Sequence, residues 1–521
     1  MSYISNDGSQ IVTAWRQDLA ALIPHATPFD HEGQRFLVFP NAREEARLAR
    51  NLGVAIPSPI FTGYDWCAAT SRRKPWDVQK ITAAMLVENP RAYVLNSMGT
   101  GKTAAALFAC DFLMRTSGVR RVLIVAPLST LTPVWEAELF MLMPHRKMVV
   151  LHHAAREKRS ERLKRDASFY IVNHHGLQLL RDELVAKKFD VIIIDELSVF
   201  RNKSTNLWKS ANTVIQGVPY VWGLTGSPTP SSPTDAWGQM KLLTPARTAR
   251  SMSQFRDQTM NKITTFKWVP KREANDTVHA QMQPSVRFQR SDVSELPPTS
   301  YVHRKVELSP DGARAYKLLY DHMRMSTNQG KTITAVNEGV LRTKLLQVAC
   351  GYIYADDGTV YELPQGGRHS ALLEVVEETD AKVIVFVPFL HAIAGVADYL
   401  ARHKHVPSVV HGSVSRTVRD RIFTSFQTQD EPKLIVAHPG CMAHGLTLTR
   451  ANTIVWYAPA PSYEIYEQAN ARIVRPGQLE KTYIVHLGGT AVERETYRRQ
   501  ETKGKLQGLL LDLFRQQELS L

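Results

Sequence analysis

Twice along this chain, short β-branched apolar runs alternate with segments of helical periodicity, a recurrence that restricts the fold to parallel sheets covered by helices on both faces. The runs fall at 93–95, 122–126, 169–172, 191–194 and 220–224 in the first half, and at 383–387, 408–410, 434–437, 454–457 and 483–487 in the second. Amphipathic segments such as 391–403 and 416–426 separate them. The sequence therefore predicts an α/β protein with two lobes, one at 66–245 and one at 366–521 that ends in a C-terminal helix. Between them, 246–365 reads as a basic, largely helical insertion and linker, with a helical segment at 310–325 and a linker-like stretch at 294–300. Residues 1–65 show no pattern from which a role can be read. A length of 521 residues suits about three domains.

Only the first half carries a phosphate loop. Residues 95–103 read Leu-Asn-Ser-Met-Gly-Thr-Gly-Lys-Thr and lead from an apolar run into a helix-forming stretch at 104–114. Gly99 and Gly101 permit turn dihedrals closed to residues with a Cβ, so the backbone N–H groups from Met98 through Thr100 to Lys102 can face phosphate oxygens beside a helix N-terminus. Lys102 would reach the β- and γ-phosphates of ATP, and the Thr103 hydroxyl would bind Mg²⁺. Asn96 stands where the GxxxxGK[ST] pattern has its first glycine.

About ninety residues on, the run Val191-Ile192-Ile193-Ile194 stops at Asp195-Glu196, as a buried parallel strand does when it delivers carboxylates to the sheet edge. In open α/β sheets the ligand crevice lies beyond the carboxyl ends of the strands. There Asp195 would hold Mg²⁺, and Glu196 would orient and deprotonate the attacking water.

The formal net charge is +15, with 64 Lys+Arg against 49 Asp+Glu, which favours a polyanionic partner. The excess concentrates in residues 241–290, where Lys241, Arg247, Arg250, Arg256, Lys262, Lys267, Lys271, Arg272, Arg287 and Arg290 face only Asp257, Glu273 and Asp276. Phe255, Phe266, Trp268 and Phe288, interleaved there, suit a small helical core better than base contacts. The cluster 156–165, alternating with Glu157 and Glu161, reads as a solvated helix face. No run of about eighteen apolar residues exists and residues 1–17 lack a signal pattern, so neither membrane spanning nor secretion is expected. Cys67, Cys110, Cys350 and Cys441 lie far apart, and His152-His153 and His174-His175 have no partners at ligand spacing, so reduced thiols and no structural zinc are expected.

In the second half, the segment Gln468-Ala469-Asn470-Ala471-Arg472-Ile473-Val474-Arg475-Pro476-Gly477-Gln478 places Arg472 and Arg475 three apart. On a helix they would share one face and could meet a γ-phosphate as arginine fingers.

Taken in order, these motifs resemble those of superfamily-two helicase-type ATPases, most of all the Swi/Snf-type DNA translocases, over roughly residues 70–500. The resemblance implies two RecA-like lobes. Gln79 sits where the family has its adenine-reading glutamine. Ala126-Pro127-Leu128-Ser129-Thr130-Leu131 with Trp135 and Glu136 is similar to a motif linked to the DNA strand. Thr225, Gly226 and Ser227 resemble the motif that couples the nucleotide site to DNA, and Gln468 begins the arginine motif. In the second half, His411-Gly412-Ser413 with Arg419 and Phe426, and Gly445-Leu446-Thr447-Leu448-Thr449, recur in family order. Departures are Ser198 for the usual His of Asp-Glu-x-His, which implies altered coupling, and Ala443 and Thr447 for an expected Gly and Asn.

The chain carries no bromodomain-like, chromodomain-like or RING-like framework, and such a minimal motor resembles phage or bacterial members. The expected setting is the cytoplasm of a bacterial or phage-infected cell. The sequence reads as an ATP- and Mg²⁺-dependent DNA translocase or helicase acting on duplex or branched DNA in replication, recombination or repair. The alternatives are an RNA helicase of the same superfamily, or a DNA-binding scaffold with a degenerate ATPase; the retained Lys102, Thr103, Asp195, Glu196, Arg472 and Arg475 count against the latter. A strand-splitting hairpin, if present, is expected in the insertion or at 352–364.

Overall fold

The computed structural model describes residues 2–5, 7–56, 58–66, 74–265, 267–293, 297–328, 335–354, 360–364, 367–442 and 446–516. Cys67, Phe266, Ala443 and Gly445 lie outside the described residues, as do parts of the stretches 294–300 and 352–364. The chain forms two compact units: the first holds the described residues of 1–261, 270–293 and 509–521, the second those of 262–269 and 294–508. Of the stretch expected as an insertion from 246 onwards, 246–261 and 270–293 thus fold with the first unit.

In the first unit, seven parallel strands form one sheet in the order Ser285–Val286, Arg91–Val94, Tyr220–Leu224, Val191–Asp195, Val122–Ala126, Phe169–Asn173, Met148–Val150. The apolar runs are continuous because both faces are covered. Tyr93, Leu123, Val125, Tyr170, Ile192, Ile194 and Val221 face one core, while Val94, Val122, Ile124, Phe169, Ile171, Ile193 and Trp222 face the other. Helices Asp77–Glu88 and Lys102–Thr116 cover the second face. Residues 1–65, unread in sequence, hold an antiparallel sheet in the order Ser2–Ile4, Gln10–Ala14, Gln34–Pro40, Thr27–His31, with helix Arg43–Asn51 closing a core of Ile11, Leu19, Leu37, Phe39 and Ala46.

The second unit repeats the architecture with six parallel strands: Thr299–Lys305, Thr482–Gly488, Ala451–Trp456, Lys382–Phe386, Leu434–Ala437, Ser408–Val410. Val383, Val385, Val436, Val455 and Val485 pack to one side, and Ile384, Phe386, Ile435, Ile454, Trp456 and Ile484 to the other. The end of the linker-like stretch, Thr299-Ser300, is the start of an edge strand in this sheet. Two short hairpins, Met260–Lys262 with Trp268–Pro270 and Tyr352–Tyr354 with Val360–Glu362, stand in the two places where the sequence left room for one.

A buried ion pair ties the second unit together. Arg368 Nη2 meets Glu493 Oε1 at 2.5 Å with both side chains buried, and Arg368 Nη1 also donates to the Tyr457 carbonyl. The other carboxylate oxygen, Oε2, accepts from Gly489 N, Thr490 N and Thr490 Oγ1, each at 3.0 Å. Removing one partner leaves the other charge buried and uncompensated, a loss of about 3–5 kcal/mol. Glu493→Ala is therefore expected to bring the unfolding of the second unit to a clearly lower urea concentration; an unchanged midpoint would show that the pair contributes nothing net.

Candidate active site

The site grows from strand register. Leu224 lies opposite Val94 on one neighbouring strand and opposite Asp195 on the other, so three strands end at the same level. The next residues of each are the phosphate loop, Glu196, and Thr225 with Gly226 and Ser227. Thr225 N donates to Val94 O at 3.0 Å, and Thr225 Oγ1 accepts from Ser227 N at 3.2 Å. Buried Gln239 holds the following turn through Nε2 bonds to Pro228 O at 2.6 Å and Asp235 O at 2.9 Å.

Gly99 and Gly101 adopt φ of +83° and +77°, the left-handed region that the loop reading requires. Gly101 meets a second constraint: a Cβ there would fall 2.0 Å from Gln79 Nε2. Gln79 is thereby seated against the loop, with its amide oxygen accepting from Trp76 N at 2.9 Å. Lys102 and Thr103 open the helix Lys102–Thr116, and Lys102 Nζ donates to Asn96 O at 2.8 Å. A Cβ built on Gly226 would lie 3.7 Å from that Nζ and 3.9 Å from Met98 N, so the expected coupling segment abuts the loop directly. Thr100 Oγ1 closes the turn onto Ser97 O at 2.8 Å.

Asp195 ends its strand with both carboxylate oxygens engaged: Oδ1 accepts from Glu196 N at 3.1 Å and Oδ2 from Trp135 Nε1 at 2.9 Å. Glu196 has φ +54° and ψ 56°, a left-handed conformation that costs a residue with a Cβ about 1–3 kcal/mol and turns the chain sharply out of the sheet. Ser198, in place of the usual histidine, is buried on the short turn Leu197–Phe200 that follows.

Mg²⁺ takes oxygen ligands and needs only one or two carboxylates beside phosphate and water. The hydroxyl of Thr103 and the carboxylate of Asp195 fit that donor set, and among the described residues no group of three His, Cys, Asp or Glu competes as a metal cluster.

Several contributors were not legible. Asn96, the departure from the glycine pattern, is buried; its Nδ2 donates to Thr82 Oγ1 at 2.9 Å and its Oδ1 accepts from Phe288 N at 2.9 Å. It pins the loop to the helix Asp77–Glu88 and to the segment that follows the edge strand Ser285–Val286. His174 bonds Asp195 O through Nε2 at 2.9 Å, and burial holds its pKa below the usual imidazole range. Its place just past the end of a strand in this sheet was the available signal. Arg287 donates to the Leu95 carbonyl and Arg290 Nε to Met98 O at 3.0 Å, so two cations of the basic stretch serve the phosphate loop. The 156–164 helix is only partly solvated: Arg159 is buried, and Arg162 donates to Val150 O and His152 O.

In the second unit the structure corrects the helical reading of the arginine segment. The helix Tyr463–Asn470 stops before Arg472, and 471–477 is a series of turns and bends. The two arginines converge nonetheless: Arg472 Nη1 and Arg475 Nη1 both donate to Leu446 O, at 3.2 and 2.6 Å, and Arg472 Nε to Gln468 O at 2.8 Å. Gln468 is buried beside them, with Nε2 3.3 Å from Glu464 Oε1. Convergence on the carbonyl of Leu446, and not helical spacing, sets this pair.

Residues 86–350 match the SNF2-related domain and residues 367–477 the helicase conserved C-terminal domain. The chain belongs to the SNF2-related family. Among similar proteins, the ATP-dependent helicase MG018 of Mycoplasma genitalium is 24% identical over 75% of this chain and 37% of its own length. Protein p41 of Acyrthosiphon pisum secondary endosymbiont phage 1 is also 24% identical, over 85% of this chain and 98% of its own length. The human DNA annealing helicase and endonuclease ZRANB3 is 21% identical over 77% of this chain and 37% of its own length. This chain thus spans about two fifths of the mycoplasma and human relatives and nearly all of the phage one. No helix of the described residues is long and apolar enough to cross a membrane.

Placing the first glycine of the GxxxxGK[ST] pattern at position 96 should harm this SNF2-related protein. Asn96→Gly removes the acceptor of the half-buried Phe288 N–H, a cost of about 1–3 kcal/mol when that group is left unpaired, while Thr82 Oγ1 loses one of its two bonds and keeps the one to Val78 O. An earlier urea midpoint for the first unit is expected; an equal or later one would show that Asn96 is no pin.

Proposed function

We propose that this protein is a DNA translocase that hydrolyses ATP to move along or remodel duplex or branched DNA. The observation that carries the reading is the shared level of the strand ends at Val94, Asp195 and Leu224, which sets a phosphate loop, an acidic pair and a small hydroxyl-bearing segment against one another. Lys102 would bind the β- and γ-phosphates and Glu196 would take the proton of the attacking water. Thr103 and Asp195 would hold Mg²⁺, which when bound neutralises phosphate charge. Gln79, seated on Gly101, would read the base. Arg472 and Arg475 would stabilise the transition state, with Gln468 supporting them. Thr225 to Ser227, in contact with the loop, would report the nucleotide to the DNA-binding surface.

DNA as the track is supported by the net charge of +15 and by the family, whose human relative is named a DNA annealing helicase. The exposed Lys267 and Arg272 and the half-buried Lys271 would add phosphate contacts. The phage relative supports a bacterial or phage-infected cell as the setting, and the role proposed there is in replication, recombination or repair.

Displacement of a third strand from a triplex tests motion without requiring unwinding. The wild-type protein should release the strand only with ATP. Glu196→Gln, which keeps shape but removes the base, should lower turnover about 10²–10⁴-fold while still binding nucleotide, and Lys102→Ala should lose binding. Neither variant should displace the strand. Displacement by Lys102→Ala, or near-normal turnover by Glu196→Gln, would overturn these assignments.

A further inference from the structure

Trp135 is fully buried, yet its indole N–H reaches Asp195 Oδ2 at 2.9 Å. It stands on a turn, Leu131–Glu136, wound as a π-helix between the short turn Leu128–Thr130 and the helix Ala137–Leu142. π turns are rare and are frequently found at functional positions. Along this segment the side chains divide. Leu128, Ser129, Thr132 and Pro133 are exposed, while Thr130, Leu131 and Trp135 are buried. The exposed face follows the C-terminal end of the strand Val122–Ala126, on the same sheet edge as the phosphate loop, and offers two hydroxyls of the kind that contact nucleic-acid phosphates.

One short segment therefore presents hydroxyls to solvent and a hydrogen-bond donor to a buried-edge carboxylate. We propose that Trp135 is a positioning residue through which nucleic acid bound on the 128–133 surface changes the Mg²⁺ affinity of the nucleotide site at Asp195. This rests on the reading of Asp195 as a Mg²⁺-holding carboxylate. The indole fixes the rotation of that carboxylate; with Oδ2 and Oδ1 both held, a shift of the π turn is felt at the metal position. Ligand-orienting partners of this kind change metal affinity about 10–100-fold when removed. Linkage then requires reciprocity: whatever factor DNA contributes to Mg²⁺ affinity, Mg²⁺ contributes to DNA affinity.

The test titrates Mg²⁺ against binding of a fluorescent ADP analogue to the full chain, with and without duplex DNA. In the wild type, duplex should shift the Mg²⁺ midpoint by about fivefold or more. Trp135→Phe keeps most of the ring but removes the donor; its midpoint should rise about 10–100-fold and become indifferent to DNA, with nucleotide binding in EDTA preserved. Ser129→Ala with Thr132→Ala alters only the exposed face, so it decides the matter should the Trp135 variant not fold. That double variant should keep the DNA-free midpoint and lose most of the DNA-induced shift. A full DNA-induced shift in Trp135→Phe, or no shift in the wild type, would overturn the coupling. Absence of any nucleotide binding by the wild type would instead overturn the reading of the site itself.

Discussion

The register of three neighbouring strands is the constraint on which the first unit's site depends. Because Val94, Asp195 and Leu224 stand level, the chain need only continue by one to nine residues from each strand end to bring cradle, carboxylates and coupling segment into contact. That register is held by apolar side chains packed on both faces, and a one-residue slip of any strand would exchange its two faces. Chemistry and folding are therefore not separable here: the residues that set the level of Asp195 are Val191 to Ile194, all fully buried.

Three departures from local preference gather at the site. Glu196 occupies a left-handed conformation, Gly101 accepts the Gln79 amide where any side chain would clash, and a π turn carries Trp135. Strain of this sort persists only if surrounding structure over-determines it. The determinants are visible as Asn96 and Arg287 on the loop, and His174 and Trp135 on Asp195.

Most of the sheet architecture was legible because a parallel strand buried on both faces leaves a continuous apolar run, as at 122–126, 220–224 and 434–437. The strands Met148–Val150 and Ser285–Val286 were not, since they lie at the two edges and are only two or three residues long, with Val286 alone among them buried. The antiparallel N-terminal sheet escaped for a related reason: Thr27–His31 is exposed throughout and shows no apolar face. Among site residues, those in a glycine loop or after an apolar run declare themselves by neighbours in sequence. Asn96, His174 and Arg287 act through partners far along the chain, and spacing does not record such contacts. Arg472 and Arg475 were paired for the wrong geometric reason, because a helix and a series of turns can both bring residues three apart to the same atom.

The central claim is that the edge at Val94, Asp195 and Leu224 forms one nucleotide site driven by DNA. Steady-state ATP turnover by the wild-type chain, compared with no nucleic acid, single-stranded DNA, duplex DNA, branched DNA and RNA, tests it most directly. The account predicts low basal turnover, strong stimulation by duplex or branched DNA, and little by RNA. Stimulation by RNA alone would contradict it in favour of an RNA helicase, and no turnover under any condition would leave only a DNA-binding scaffold.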